Sequence, residues 1–515
     1  MSDQQYYFRP DGSRGKREPS ANNGPAHRAP KRRLTNSAKR RRVALVLVAF
    51  IILGLVGTYS YARLRFSQIR KIGVSGLNTA ATNQPMNILL VGNNSRTVLN
   101  GSQANAFGNG SQVGGARSDV TMIAHLDPST HRVTLVSIPR DLFLPIPGSN
   151  NLNRVDAALN SGPSMLVKTI EQDLGIPIDH YVELNFDTFQ QIVTALGGIN
   201  MYFPYQLKDA QSGLNITHTG CIHLNGFQAL AVVRARHLQY STNGVTWGYD
   251  PLGDLSRIRR DHEFIKVLAS EVQAKGIYNP VQLNSLVNAI TPYLGLDKTF
   301  SLNDLISLAT TFRHVNPNTV ATATLPIAFA NNYVYLGASY GDVVFAAEPQ
   351  DSTVLNRYLG LPTPNIAPSS ITVGVVNGTG AYHLAADVAK SLSALGYKIA
   401  GTANTAIQGT NLETIVRYTK GHLALAERVK ADLSGAVVMG EGSTISGAPV
   451  EVIAGNNLTV ATPPAPTTTV ASTQGTSAPK TTGASSTNSN LPITLPATTS
   501  NMALQPWDPR ACPAS

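Results

Sequence analysis

The chain predicts a layered α/β fold: a sheet covered by helices on both faces, a second, small α/β domain behind it, and one N-terminal transmembrane helix ahead of it. Three observations carry this. Apolar strand candidates alternate with helical stretches from residue 86 to about 203, and near-continuous apolar strands belong to sheets buried on both faces. A Pro/Ser-rich linker at 362–370 precedes a shorter stretch with a βαβ-αβ rhythm at 371–455. Residues 43–62 carry no charge and are just long enough to cross a bilayer as a helix.

The elements follow in order. Residues 1–42 are polar and lack an apolar period, which predicts a disordered tail. The apolar span then starts directly after Lys39-Arg40-Arg41-Arg42, and Tyr59 and Tyr61 suit its far interface. Residues 63–85 read as a stalk, and 86–360 as the main domain. Its strand candidates are 87–92, 120–126, 132–138, 181–186 and 198–203, with helices at about 162–174 and 187–196. A further helix, 255–275, starts at Gly253-Asp254, with Ile258, Ile265, Leu268 and Val272 as its buried stripe. The second domain reads as strand 371–376, helix 382–395, helix 421–433 and strand 450–454. Residues 460–515, rich in Thr, Pro, Ser and Ala, read as a disordered tail or wall-spanning spacer.

Charge placement sets the topology. The formal charge is +11, and twelve Lys/Arg against three Asp/Glu in residues 1–42 account for most of it. A basic side held in the cytoplasm places the bulk of the chain outside, giving a single-pass cell-membrane protein with a cytoplasmic N-terminus. A cleaved signal peptide competes, because Ser60-Tyr61-Ala62 offers small residues, but the long leading segment argues against it. The tail offers DNA nothing beyond charge, so membrane lipid is the expected partner and nucleic acid is not. The two cysteines, Cys221 and Cys512, lie outside, where a disulfide is permitted; Cys512 falls in the expected tail, so pairing stays open.

Chemistry concentrates in five arginines, Arg234 and Arg236, then Arg257, Arg259 and Arg260, with Asp254 opening the second group. Guanidinium groups present a planar fork of donors that matches phosphate oxygens and keep their charge. Arg140, Asp141 and Asp119 sit at strand edges, where α/β folds place ligands. The plain alternative is a salt-bridged surface helix. Gly337-Ala-Ser339-Tyr-Gly341 fits a nucleophile-elbow pattern, but the residues after it read as strand rather than helix, so it is taken as coincidence.

Several motifs recur in order: Arg117-Ser-Asp119, Ser137-Ile-Pro-Arg140-Asp141, Ile178-Asp-His-Tyr181-Val, Leu196-Gly-Gly-Ile199, Leu224-Asn-Gly226, Ala229 to Arg234-Ala-Arg236, and Gly253-Asp254-Leu-Ser-Arg257-Ile-Arg-Arg260. Together they resemble the bacterial LytR-CpsA-Psr (LCP) family, and 371–455 is similar to the LytR C-terminal domain. The resemblance implies a mixed sheet with an apolar pocket for a prenyl chain. It implies a phosphotransferase moving a glycopolymer from a polyprenyl pyrophosphate carrier to peptidoglycan. By motif, Arg140, Arg234, Arg236, Arg257 and Arg260 grip the pyrophosphate, and Asp119 and Asp254 hold Mg²⁺ (or Mn²⁺). Arg140, Asp141, Arg234, Arg236 and Arg257 are the implied catalytic group, with Asp141 or Asp119 as base. Three positions depart from the family: Asn94 and Thr194 stand where acids are usual, and Asp261 where Gln is usual. A non-catalytic binder of lipid-linked phosphate, or a pyrophosphatase acting on the carrier, are the competing functions.

Overall fold

The computed structural model describes residues 56–78, 80–93, 118–148, 151–275, 284, 287–288, 291–292, 294–405, 407–462 and 503–513. The chain divides into two units, Met1–Tyr61 and Ala62–Ser515. In the first, only residues 56–61 are described, and they are helical. The apolar span expected at 43–62 thus lies largely outside the described residues, among which no helix is long and apolar enough to cross a membrane.

The second unit is mixed α/β. Its main sheet comprises β1 (Arg70–Ile72), β2 (Met86–Asn93), β3 (Ser118–Asp127), β4 (Arg132–Ile138), β5 (His180–Asn185), β6 (Gly295–Asp297) and β7 (Ala321–Thr324). The spatial order is β1-β6-β5-β2-β3-β4-β7, with parallel β1–β6, β2–β5 and β4–β7 pairs and antiparallel β2–β3, β3–β4 and β5–β6 pairs. Side chains alternate between the faces. Leu89 and Val91 of β2 join one core, with Leu166, Val167 and Ile170 of helix α1 (Pro163–Leu174). Met86 and Ile88 join the opposite core. There, Ile265 of helix α3 (Asp254–Lys275) and Leu308 of helix α4 (Leu302–Phe312) cover the sheet. Helix α1 starts with Pro163 and ends at Gly175, whose φ of 67° gives the left-handed cap. Helix α2 (Gly226–Arg234) is fixed at its start by a capping box between Asn225 and Gln228.

Register decides where loops meet. Asn93 pairs with Ser118, and Thr121 with Ile138. The ends of β2, β4 and β5 and the start of β3 therefore share one edge. Asp119 and the loop bearing Arg140 and Asp141 stand on that edge.

The second sheet joins the two regions that the sequence separates. It contains β8 (Ile327–Tyr335), β9 (Ala338–Glu348), β10 (Thr372–Asn377), β11 (Lys398–Asn404), β12 (Thr414–Tyr418), β13 (Leu433–Glu441) and β14 (Val450–Ala454), and its order is β8-β9-β13-β12-β14-β10-β11. Ala347 and Glu348 of β9 pair with Ala436 and Gly435 of β13. Just beyond β9 starts helix α5 (Gln350–Leu359), and buried Lys430 reaches Glu348 at 2.7 Å and Asp351 at 3.0 Å. Gly337 lies in the hairpin between β8 and β9 and Ser339 on β9, so the Gly-x-Ser-x-Gly run heads no helix.

The end of the chain departs from the expected tail. Residues 463–502 lie outside the described residues, but 503–513 return to the fold. Arg510 and Ala511 pair with Tyr202 and Met201, Trp507 stacks on Tyr240 with centroids 4.1 Å apart, and Cys512 is bonded to Cys221.

Candidate active site

Four elements deliver the charged groups of the cluster. Asp119 enters β3, Arg140 and Asp141 follow β4, and α3 supplies Asp254 and Arg257 from its first turn. Arg236 lies just beyond α2. Its backbone N–H and that of His237 both donate to Asp209 Oδ2 at 2.8 Å, which fixes the chain there.

The side chains interlock. Arg140 reaches Asp119 at 3.0 Å, Asp141 at 3.5 Å and Asp254 at 3.9 Å. Arg236 reaches Asp254 at 3.1 Å and Asp141 at 4.0 Å. Arg257 lies 3.2 Å from Asp254 and 3.8 Å from Asp261, and donates to the Asp119 carbonyl at 2.5 Å. Groups from positions 119, 140–141, 236 and 254–257 thus form one cluster.

Arg154 joins them, although nothing in its sequence setting marks it. It pairs with Asp141 at 3.1 Å and donates to the carbonyls of Tyr340 and Asp342. A lone arginine after Leu152-Asn153 carries no pattern, and only the fold brings it to Asp141.

Two further expected residues, Arg234 and Arg260, make other contacts. Arg234 closes α2, with its guanidinium 4.5 Å from the centre of the Phe186 ring, which directly follows β5. Arg260 departs from the expected phosphate grip. It is buried, donates to Asp250 at 2.9 Å and to the Ala235 carbonyl at 2.6 Å, and lies 3.6 Å from Asp508. Helical spacing gives Arg257 and Arg260 neighbouring faces, but two buried acids draw Arg260 inward. Thr194 turns back onto its own helix, donating to the Gln190 carbonyl, and Asn94 lies outside the described residues.

Burial and charge oppose each other across the cluster. For Arg257, burial disfavours the cation, but Asp254, Asp261, Asp119 and Asp141 outweigh it and its pKa rises. For Arg236, burial prevails against Asp254, with Arg140 and Arg257 adding repulsion, so its pKa falls. Burial lifts Asp261 to about 7 against the pull of Arg257 and Arg260. The buried Nε atoms of Arg140, Arg154, Arg236 and Arg257 face carboxylate oxygens at 3.1–3.9 Å as ion pairs, without hydrogen-bond geometry, and Asp254 Oδ1 is in the same position. Donors paired by charge but not by aligned hydrogen bonds keep capacity for an anion arriving among them.

The expected divalent ion meets a limited donor set. Asp119 and Asp254 offer hard carboxylate oxygens of the kind Mg²⁺ and Mn²⁺ take. Among the described residues no group of three or more His, Cys, Asp or Glu side chains is placed to hold a metal ion together. Both carboxylates already face guanidinium groups, Asp119 that of Arg140 and Asp254 those of Arg236 and Arg257, so an ion there would take one or two carboxylates and be completed by substrate phosphates and water.

A model described as the LytR_cpsA_psr family matches residues 60–349, more than half of the chain. The chain belongs to the LytR-CpsA-Psr family. A second model, described as LytR cell envelope-related transcriptional attenuator, matches residues 370–457 of this family member. The chain is 29% identical over 305 residues to the probable cell wall biosynthesis protein LcpB of Corynebacterium glutamicum, covering 59% of this chain and 69% of that one. It is 30% identical over 207 residues to the polyisoprenyl-teichoic acid–peptidoglycan teichoic acid transferase TagU of Enterococcus faecalis, covering 40% of this chain and 62% of that one. The solved LytR-Csp2A-Psr enzyme from Actinomyces oris is 25% identical, covers 56% of this chain and 95% of its own, and has a TM-score of 0.44. The LytR-CpsA-Psr relative named for its reaction is a transferase, and this chain is an enzyme of that LCP type.

Proposed function

We propose that this enzyme moves a glycopolymer from a polyprenyl pyrophosphate carrier onto peptidoglycan. The observation that carries the reading is the convergence of Arg140, Arg236 and Arg257, whose buried Nε atoms meet Asp141, Asp254 and Asp261 as ion pairs without aligned hydrogen bonds. A diphosphate between sugar and lipid matches that geometry in charge and in acceptor number. A hydroxyl of the acceptor attacks the phosphorus next to the glycan. The bridging P–O bond breaks, polyprenyl monophosphate leaves, and a phosphodiester joins glycan to acceptor. Negative charge on the non-bridging oxygens is met by guanidinium groups already in place, with little reorganisation. Asp141 and Asp119 are the carboxylates at hand to take the acceptor proton.

Mg²⁺ or Mn²⁺ held by Asp119 and Asp254 would add fixed positive charge at the diphosphate. The partly covered apolar residues on the α3/α4 side of the sheet, Leu90, Val182 and Ile265 among them, support a lodging for the prenyl chain there. The uncharged stretch after the basic run at 39–42 supports a single-pass membrane anchor with the site outside the cell. The test is turnover of a polyprenyl-pyrophosphate-linked saccharide by the detergent-solubilised protein with peptidoglycan present. Cleavage with a new phosphodiester supports transfer. Cleavage to free sugar phosphate alone points to a pyrophosphatase, and tight binding without cleavage to a carrier protein.

A further inference from the structure

Resting on that transferase reading, we infer that the outer face of the small sheet beside the arginine cluster is the platform on which the acceptor glycan strand lies. The sheet is built from strands Gln206–Asp209, Leu214–Ile216, Gln239–Ser241 and Gly248–Tyr249. Its register aligns Asn215 with Lys208, Lys208 with Gln239, and Gln239 with Tyr249. Residues directly opposite in a sheet share a face, so these four form one row. The neighbouring row, with Leu207 and Tyr240, packs into the core, so the first row faces outward. Tyr249 is 52% exposed. Lys208 Nζ lies 3.8 Å from the centre of the Trp247 ring.

The row carries two amides, an ammonium and one aromatic ring, exposed at its ends Asn215 and Tyr249 and half-buried at Lys208 and Gln239, a set that suits a polysaccharide, whose hydroxyls hydrogen-bond and whose ring faces stack. Lys208 adds complementarity to an anionic strand. Across four strands the row runs about 14 Å, the length of a short oligosaccharide rather than a single sugar. Its position ties it to the chemistry. Gln239 follows Arg236 by three residues, and Asp250 N–H, next to Tyr249, donates to the Leu238 carbonyl at 2.9 Å. Arg236 and Asp254 thus stand on the two chain segments that enter and leave this end of the sheet. An acceptor hydroxyl must reach the phosphorus held there, and a strand laid along the row arrives beside it.

The test uses full-length protein in detergent, glycan-strand fragments as acceptor, and a polyprenyl-pyrophosphate-linked saccharide as donor. Binding of the fragments alone is measured by calorimetry, and the Michaelis constants of both substrates by turnover. Tyr249→Ala should weaken fragment binding and raise the acceptor KM by about tenfold, with donor KM and thermal midpoint unchanged. Tyr249→Trp should restore both, and Lys208→Ala should reproduce part of the loss. Unchanged fragment binding in the Tyr249→Ala, Lys208→Ala double variant overturns the platform, as does a rise in donor KM alone. Fragment binding is read without chemistry, so an inactive wild type would count against the transferase reading and leave the platform to be judged by calorimetry.

Discussion

Arg257 touches both sides of the problem of burying charge. Its side chain meets Asp254 and Asp261 and the carbonyl of Asp119 with almost no solvent to help. Removing it strands acids inside the protein, so Arg257→Ala should cost about 3 kcal/mol of stability in urea unfolding as well as activity. Arg236 is less enclosed, with a side chain 31% exposed. Arg236→Ala should cut turnover of the carrier by about 10²-fold or more while shifting the thermal midpoint by no more than a few degrees. A loss of stability with full activity per folded molecule would make Arg236 a structural ion-pair partner only. Asp261 gives a pH signature. Burial first, opposed by Arg257 and Arg260, raises its carboxyl from 3.8 to about 7. Through that window the native state keeps a proton that the unfolded chain has released, so this group's contribution to stability falls as pH rises and levels off above it. Asp261→Asn should therefore gain on the wild type in urea midpoint between pH 5 and pH 8; an equal difference at both pH values would mean an ordinary carboxyl.

At the scale of elements, much was legible. The apolar strands 86–93, 118–127, 132–138 and 180–185 and helices 163–174 and 254–275 stand within a few residues of the periodicity reading. Asp119, Asp141 and Arg140 were legible because chemistry at strand ends is a rule of the α/β architecture. Arg154 was not, since its partner Asp141 is met only through the fold. Nor were the partners of Arg259 and Arg260. Arg259 pairs with Asp508 at 2.5 Å and Asp250 at 3.4 Å, and Trp507 Nε1 donates to Asp250 at 3.2 Å. Composition alone marks 460–515 as tail, and a single acid that fills a buried slot leaves no periodic trace. The segment at 503–513 is thus a structural part of α3's surroundings. Asp508→Asn should lower stability by about 3 kcal/mol, because two buried guanidinium groups would then share Asp250 alone among the carboxylates they meet here. A midpoint unchanged from wild type would show that Asp508 is not docked in solution.

On the scale of the whole second unit, Ala62–Ser515, the accessory region shares a sheet with the catalytic one through β9 and β13. The linker at 362–370 reads as a boundary in sequence because Pro and Ser accumulate there, yet strand pairing runs past it. Lys430 is the charged element of this junction. Burial disfavours its cation, but Glu348 and Asp351 outweigh that, and its pKa is raised. Lys430→Met leaves two acids buried together and should destabilise the protein by about 3–5 kcal/mol, read as an earlier single unfolding transition. Two separate transitions in the wild type would mean that the shared sheet does not couple the regions. The fate of the carrier decides most directly whether the arginine cluster performs transfer. With polyprenyl-pyrophosphate-linked saccharide and peptidoglycan supplied to the solubilised protein, mass spectrometry should find polyprenyl monophosphate released together with a glycan–peptidoglycan phosphodiester, and neither in Arg236→Ala. An intact carrier in the presence of folded wild-type protein, or equal release by Arg236→Ala, would contradict it.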